Sequence, residues 1–169
     1  MIPKRIVPYS RVIKEKKDQY GEMTDIELCC CGESRFGVEL QGANKVRLFN
    51  RFLMVEIGEE RFIFNAVCDK CGKKIPVFDT ACDGYDNQIP EKQQTETAGE
   101  LTGSSEMYKC PKCKEGLFSI KVKYEYSDPE EMKELNLKDE SNAFGWIYIS
   151  LECCSCGKKI GDFLNFETE

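Results

Sequence analysis

The sequence predicts a mainly β fold: two small antiparallel β modules, with one short helix in the second. Three observations predict it. A repeat links FIFNAVCDKCGKKIPVF at 62–78 to IYISLECCSCGKKIGDF at 147–163, 85 residues further on. The residues ahead of each cysteine pair alternate, Phe62, Phe64, Ala66 in one copy and Ile147, Ile149, Leu151 in the other, which is the period of a half-buried strand. Between the copies lies a polar, acidic stretch, DGYDNQIPEKQQTETAGELTGSSE at 83–106, with the composition of a linker.

Taken in order, residues 1–28 form a basic N-terminal arm, 29–82 the first module, 83–107 the linker and 108–169 the second module. Each copy of the repeat has an upstream partner, CCCGESRFGVEL at 29–40 and CPKCKEGLFSIKV at 110–122, in which Cys31 and Phe36 align with Cys113 and Phe118 at an offset of 82. Each half therefore reads as cysteine pair, strand, connection, strand, cysteine pair, closing strand. The second connection carries SDPEEMKEL at 127–135. There Asp128 can cap a helix, Pro129 suits its first turn and Glu131 completes a capping box, with Met132 and Leu135 toward the sheet.

Charge divides the chain unevenly. Residues 1–20 hold six Lys or Arg against Glu15 and Asp18, leaving 18 basic and 28 acidic residues in the remainder. An acidic body disfavours unspecific binding to nucleic acid or anionic membrane. The opening MIPKRIVPYSRVIKEKK has no continuous apolar core, and the apolar run FLMV at 52–55 is cut off by Glu56. The expectation is a cytoplasmic chain with no membrane span.

Eleven cysteines and no histidine, in a reducing compartment, point to bound metal rather than disulfides. Two Cys-x-x-Cys turns from separate hairpins supply the four soft donors of a closed zinc tetrahedron. In the second half these are Cys110, Cys113, Cys153 and Cys156, with 39 residues between the pairs. In the first half Cys68 and Cys71 are regular, but Leu28 stands where their upstream partner would begin. Cys29 and Cys31 are the expected pair there. Cys30 could replace either of them, and Cys82 could complete the site instead. Two zinc ions are thus expected.

These knuckles resemble those of the zinc ribbon, a rubredoxin-like arrangement in which two CPxCG turns clasp one ion at the end of a small sheet. The resemblance covers 29–82 and 108–166; CPKC at 110–113 and CSCG within 153–157 carry it, while Lys114 replaces the usual glycine and CCCG at 29–32 is irregular. It implies a fold and a metal rather than one function.

Function is expected to be non-enzymatic. Four thiolates close a zinc ion to water and substrate, and without histidine no Cys-His nucleophile can be built. The expected role is a protein-interaction module, an adaptor, inhibitor or immunity-type partner. The alternative is nucleic-acid association, for which KVRLFNRF interleaves Lys45, Arg47 and Arg51 with Phe49 and Phe52. The lysine pairs 73/74 and 158/159 are expected to offset thiolate charge.

Overall fold

A computed structural model of the protein describes residues 1–18, 21–49, 52–90, 105–127, 132 and 136–168; the side chains of 43–49, 52–54 and 58–60 lie outside that description. The fold is mainly β, as expected. After a 3-10 turn at Val7–Tyr9 come β1 (Ser10–Asp18), β2 (Gly21–Leu28), β3 (Phe36–Phe49), β4 (Phe52–Cys68) and β5 (Lys74–Asp79). The short helix α1 (Tyr85–Gln88) precedes β6 (Glu106–Met107), β7 (Leu117–Tyr126), β8 (Trp146–Cys153) and β9 (Lys159–Glu167).

Alternation fixes which face each strand buries. In β7, Phe118, Ile120, Val122, Tyr124 and Tyr126 point inward, and in β8 Ile147, Ile149 and Leu151 do so with Cys153 next in the series. In β4 the same parity runs Phe62, Phe64, Ala66, Cys68. A fully buried phenylalanine of this kind contributes about 1.5–3 kcal/mol. One glycine is required in the β3–β4 hairpin, where the register slips between Gly42 and Asn44. Gly42 has φ 93°, and a Cβ there would lie 2.0 Å from the Arg61 carbonyl oxygen.

The two repeats are both present, and their registers match. Phe36 pairs with Cys68 as Phe118 pairs with Cys153, and Ala66 with Ile75 as Leu151 with Ile160. They do not stand apart, however. Among the described residues, the nine strands belong to one antiparallel sheet, in which β8 takes one edge of β7 while β2 and then β3 run in line along the other, from Glu22↔Tyr126 to Glu27↔Lys121 and on to Phe36↔Phe118. In return β6 pairs with β3 through Glu39↔Met107. Each half therefore lends its leading strand to the other.

The sheet curls round a single core. Phe64 of β4 meets Phe163 of β9 edge to face at 6.3 Å, Tyr108 lies 4.6 Å from the same ring, and Phe78 of β5 lies 5.4 Å from Phe166. A core that needs both halves explains why the expected boundaries at 82 and 108 do not mark separate bodies.

The arm and the linker are also drawn in. Residues 10–18 and 21–28 pair antiparallel as β1 and β2. Arg5 donates to the buried carboxylate of Asp83, to the Pro76 carbonyl at 2.9 Å and to Asn142 Oδ1 at 3.1 Å, and Asp83 also accepts the Asp79 amide at 2.8 Å. One end of the expected linker, 83–90, is thus packed and partly helical, while 91–104 lies outside the described residues. The helix expected at 127–135 falls largely outside them too, although Met132 is buried. No helix among the described residues is long and apolar enough to cross a membrane.

Candidate metal centres

Strand parity delivers one sulfur of each knuckle from inside the sheet and a turn delivers the other from its rim. Cys68 and Cys153 are the last inward residues of β4 and β8. Their turns are superposable in hydrogen bonding: Cys68 N–H donates to Lys73 O at 2.9 Å and Gly72 N–H to Cys68 O at 2.9 Å, as Cys153 N–H donates to Lys158 O at 3.0 Å and Gly157 N–H to Cys153 O at 2.9 Å. Gly72 and Gly157 take φ 69° and 65°, a region glycine occupies without steric cost. These turns present Cys71 and Cys156 to the same points as Cys68 and Cys153.

Two tetrads result. Cys110, Cys113, Cys153 and Cys156 hold their sulfurs within 4.8 Å of one another, with Cys110–Cys156 at 3.7 Å and Cys113–Cys153 at 3.5 Å. The other tetrad is Cys30, Cys31, Cys68 and Cys71, again within 4.8 Å, with Cys30–Cys31 at 3.8 Å and Cys30–Cys71 at 3.7 Å. A zinc ion with Zn–S bonds of about 2.3 Å has sulfurs about 3.8 Å apart. The donor type, number and spacing in both tetrads suit such an ion.

Cys29 was expected in the first site, and the structure gathers Cys30 in its place. The reason is parity. Thr24, Ile26 and Leu28 point inward along β2, so Cys30 continues that series while Cys29 turns away, half-buried, its N–H donating to Tyr9 O at 2.9 Å. The pairing register agrees, since Glu27↔Lys121 in one half corresponds to Met107↔Glu39 in the other and carries Cys30 onto Cys110. The first knuckle is therefore two residues shorter than CPKC, and Cys31 enters the left-handed region at φ 55° to bring adjacent side chains to one centre. The sequence signal was the alternation T-x-I-x-L-x-C, read through the cysteine run rather than up to it. Cys82 and Cys154 are exposed and belong to neither tetrad.

Each tetrad contains a thiol that ionises early. Cys71 is lowered to about 7, first by the backbone N–H of Lys73 and then by neighbouring thiols. Burial is the largest single influence on Cys110 and opposes its ionisation, but the N–H groups of Cys113 and Lys112 together with the Cys156 and Cys113 thiols bring it to about 7. Their neighbours Cys30 and Cys113 are pushed up to about 12, Cys30 chiefly by burial and Cys113 by burial and the Cys153 thiol against a favourable Glu115 N–H. One thiolate is thus ready for an incoming cation, whose charge then favours loss of the remaining protons.

The lysine pairs turn partly elsewhere. Lys74 binds Glu39 at 2.6 Å and its counterpart Lys159 reaches Glu152 at 3.9 Å, while Lys73 sits 4.6 Å from the centre of the Tyr9 ring. The side chains of KVRLFNRF at 45–52 lie outside those described.

Beyond the two tetrads, the outer face of β1, β2, β7, β8 and β9 carries a furrow of about 290 Å³ lined by Ile13, Asp25, Lys121, Lys123, Tyr148 and Asp162. Trp146 and Tyr148 stack at 5.9 Å, and Lys123 lies 3.7 Å from the Tyr148 ring centre. Comparison with protein-family models, with curated proteins and with solved structures found no match.

Proposed function

We propose that the chain is a zinc-stabilised, non-catalytic scaffold that engages a protein partner in a reducing, cytoplasmic setting. The observation that carries this reading is the pair of tetrads, each offering four thiolates. Four thiolates fill the coordination of zinc and leave no position for water or substrate, which is the arrangement of a structural site. With two such ions, each worth about 10–16 kcal/mol in small finger peptides, the exchanged sheet is rigid enough to hold a fixed recognition face.

The furrow beside Tyr148 supports a protein as the partner. It mixes Lys121 and Lys123 with Asp25 and Asp162, and adds an aliphatic and an aromatic side chain. Interspersed charge with an aromatic anchor suits a protein surface, whereas a polyanion is held by an uninterrupted basic strip.

The test uses tagged full-length protein to capture partners from the native cell, with and without nuclease, beside Tyr148→Ala and Lys121→Glu variants. The expected result is a discrete protein that survives nuclease and is lost with either variant. Capture that disappears with nuclease, together with direct single-stranded RNA binding that weakens steeply with salt, would replace this reading by the nucleic-acid one.

A further inference from the structure

The two tetrads occupy equivalent places in the repeats but differ in cover. In the second, Cys110 and Cys153 are buried, and Cys113 and Cys156 are half-buried against the core. In the first, Cys30 and Cys68 are buried while Cys31 and Cys71 are exposed. The difference follows from the shortened knuckle. Where CPKC wraps two further residues around its ion, Cys30 and Cys31 are adjacent, and Cys31 reaches the centre from a left-handed turn at the rim. Lys70 donates to the Cys31 carbonyl at 3.1 Å, which places a cation beside this open edge.

Between two thiolate clusters of the same composition, exposure decides which cysteines an oxidant reaches. In the first tetrad two thiols meet solvent and lie within 4.8 Å of each other. We propose that the first tetrad is a hydroperoxide-responsive zinc site, in which oxidation of Cys31 and Cys71 to a disulfide expels the ion while the second site stays loaded. The proposal rests on the zinc reading above.

The chemistry balances. One of the two exposed thiolates, Cys31 or Cys71, attacks a peroxide oxygen, the O–O bond breaks and hydroxide leaves, giving a sulfenic acid. The other thiolate attacks that sulfur and displaces a second hydroxide as the S–S bond forms. The two sulfurs lose two electrons, the peroxide oxygens gain them, and zinc remains divalent. Solvent protons convert the two hydroxides to water, and Cys30 and Cys68, left as a buried pair, no longer hold the ion.

Full-length protein loaded with zinc is treated with hydrogen peroxide in the presence of a chromophoric zinc chelator. One ion per chain should appear about tenfold faster than the other, with peptide mapping placing the new disulfide between Cys31 and Cys71. Thiol reductant and zinc should then restore two ions per chain. Cys29→Ala and Cys154→Ala, outside both tetrads, should keep the fast phase, and Cys31→Ser should remove it. Equal release of both ions, or a fast phase that maps to Cys113 and Cys156, overturns the proposal. A starting ratio below two zinc ions per chain overturns the zinc reading beneath it.

Discussion

Phe36 and Phe118 face each other as an antiparallel pair where β3 meets β7, and they are also the same residue of the two repeats, 82 positions apart. A residue that pairs with its own counterpart marks a pseudo-twofold axis. The amides beyond the axis obey it too: Asp69 N–H donates to Arg35 O at 3.1 Å, and Cys154 N–H donates to Leu117 O at 3.0 Å. The two phenylalanines are fully buried.

Removing either ring should therefore weaken the whole molecule. Phe118→Ala is expected to cost about 3–5 kcal/mol, and the double variant with Phe36→Ala less than the sum, because the two share one cavity. Chemical denaturation followed by Trp146 fluorescence and by far-ultraviolet dichroism should give coincident transitions. Separate transitions for the two signals would show that the halves fold independently.

The parity of β2 predicts that Cys30→Ser lowers the zinc content from two ions per chain to near one, while Cys29→Ser leaves two. Elemental analysis of purified protein distinguishes the outcomes. The reverse pattern would return Cys29 to the first site.

The Arg5–Asp83 pair gives a contrast within the N-terminal segment. Arg5→Met leaves the Asp83 carboxylate buried without its cation, at an expected cost of about 3–5 kcal/mol. Adding Asp83→Leu should recover much of that loss. Arg11 binds Glu27 on the surface, and Arg11→Ala should change stability by less than about 1 kcal/mol. Urea midpoints of the variants test the ordering.

Lys114 holds φ 67° at the position where the other half has Gly32 at φ 78°. A left-handed conformation costs an ordinary residue roughly 1–2 kcal/mol, so Lys114→Gly should raise stability by up to about 1 kcal/mol once glycine's greater chain entropy is counted. A lower thermal midpoint would mean that the lysine side chain contributes more than its backbone costs.

Much of this was legible in the sequence because periodicity is local. The alternation before Cys68 and Cys153, the glycines after Cys71 and Cys156, and the matching spacing of 110, 113, 153 and 156 each lie within a few residues of what they specify. What stayed hidden depends on distant chain. Nothing within residues 21–28 says that β2 will pair with β7, and the charge of Arg5 reads as solvated until Asp83 arrives from 78 residues away. The first tetrad fell between these cases. Its parity was local, but the run Cys29-Cys30-Cys31 matched the familiar spacing in no frame, and the frame was set by the register of β2 against β7.

Strand exchange also sets a timetable for biosynthesis. Every ligand of the first tetrad has been made once Cys71 is added, whereas the partner of β2 is complete only at Tyr126. At roughly 5–20 residues per second, that interval lasts roughly 3–11 s. Throughout it, Thr24 and Ile26 lack their partners Tyr124 and Val122, and the nascent chain presents an unpaired strand edge. Early capture of zinc would pin the β3–β4 hairpin to its knuckle during this wait. The yield of folded protein would then depend on metal available during synthesis.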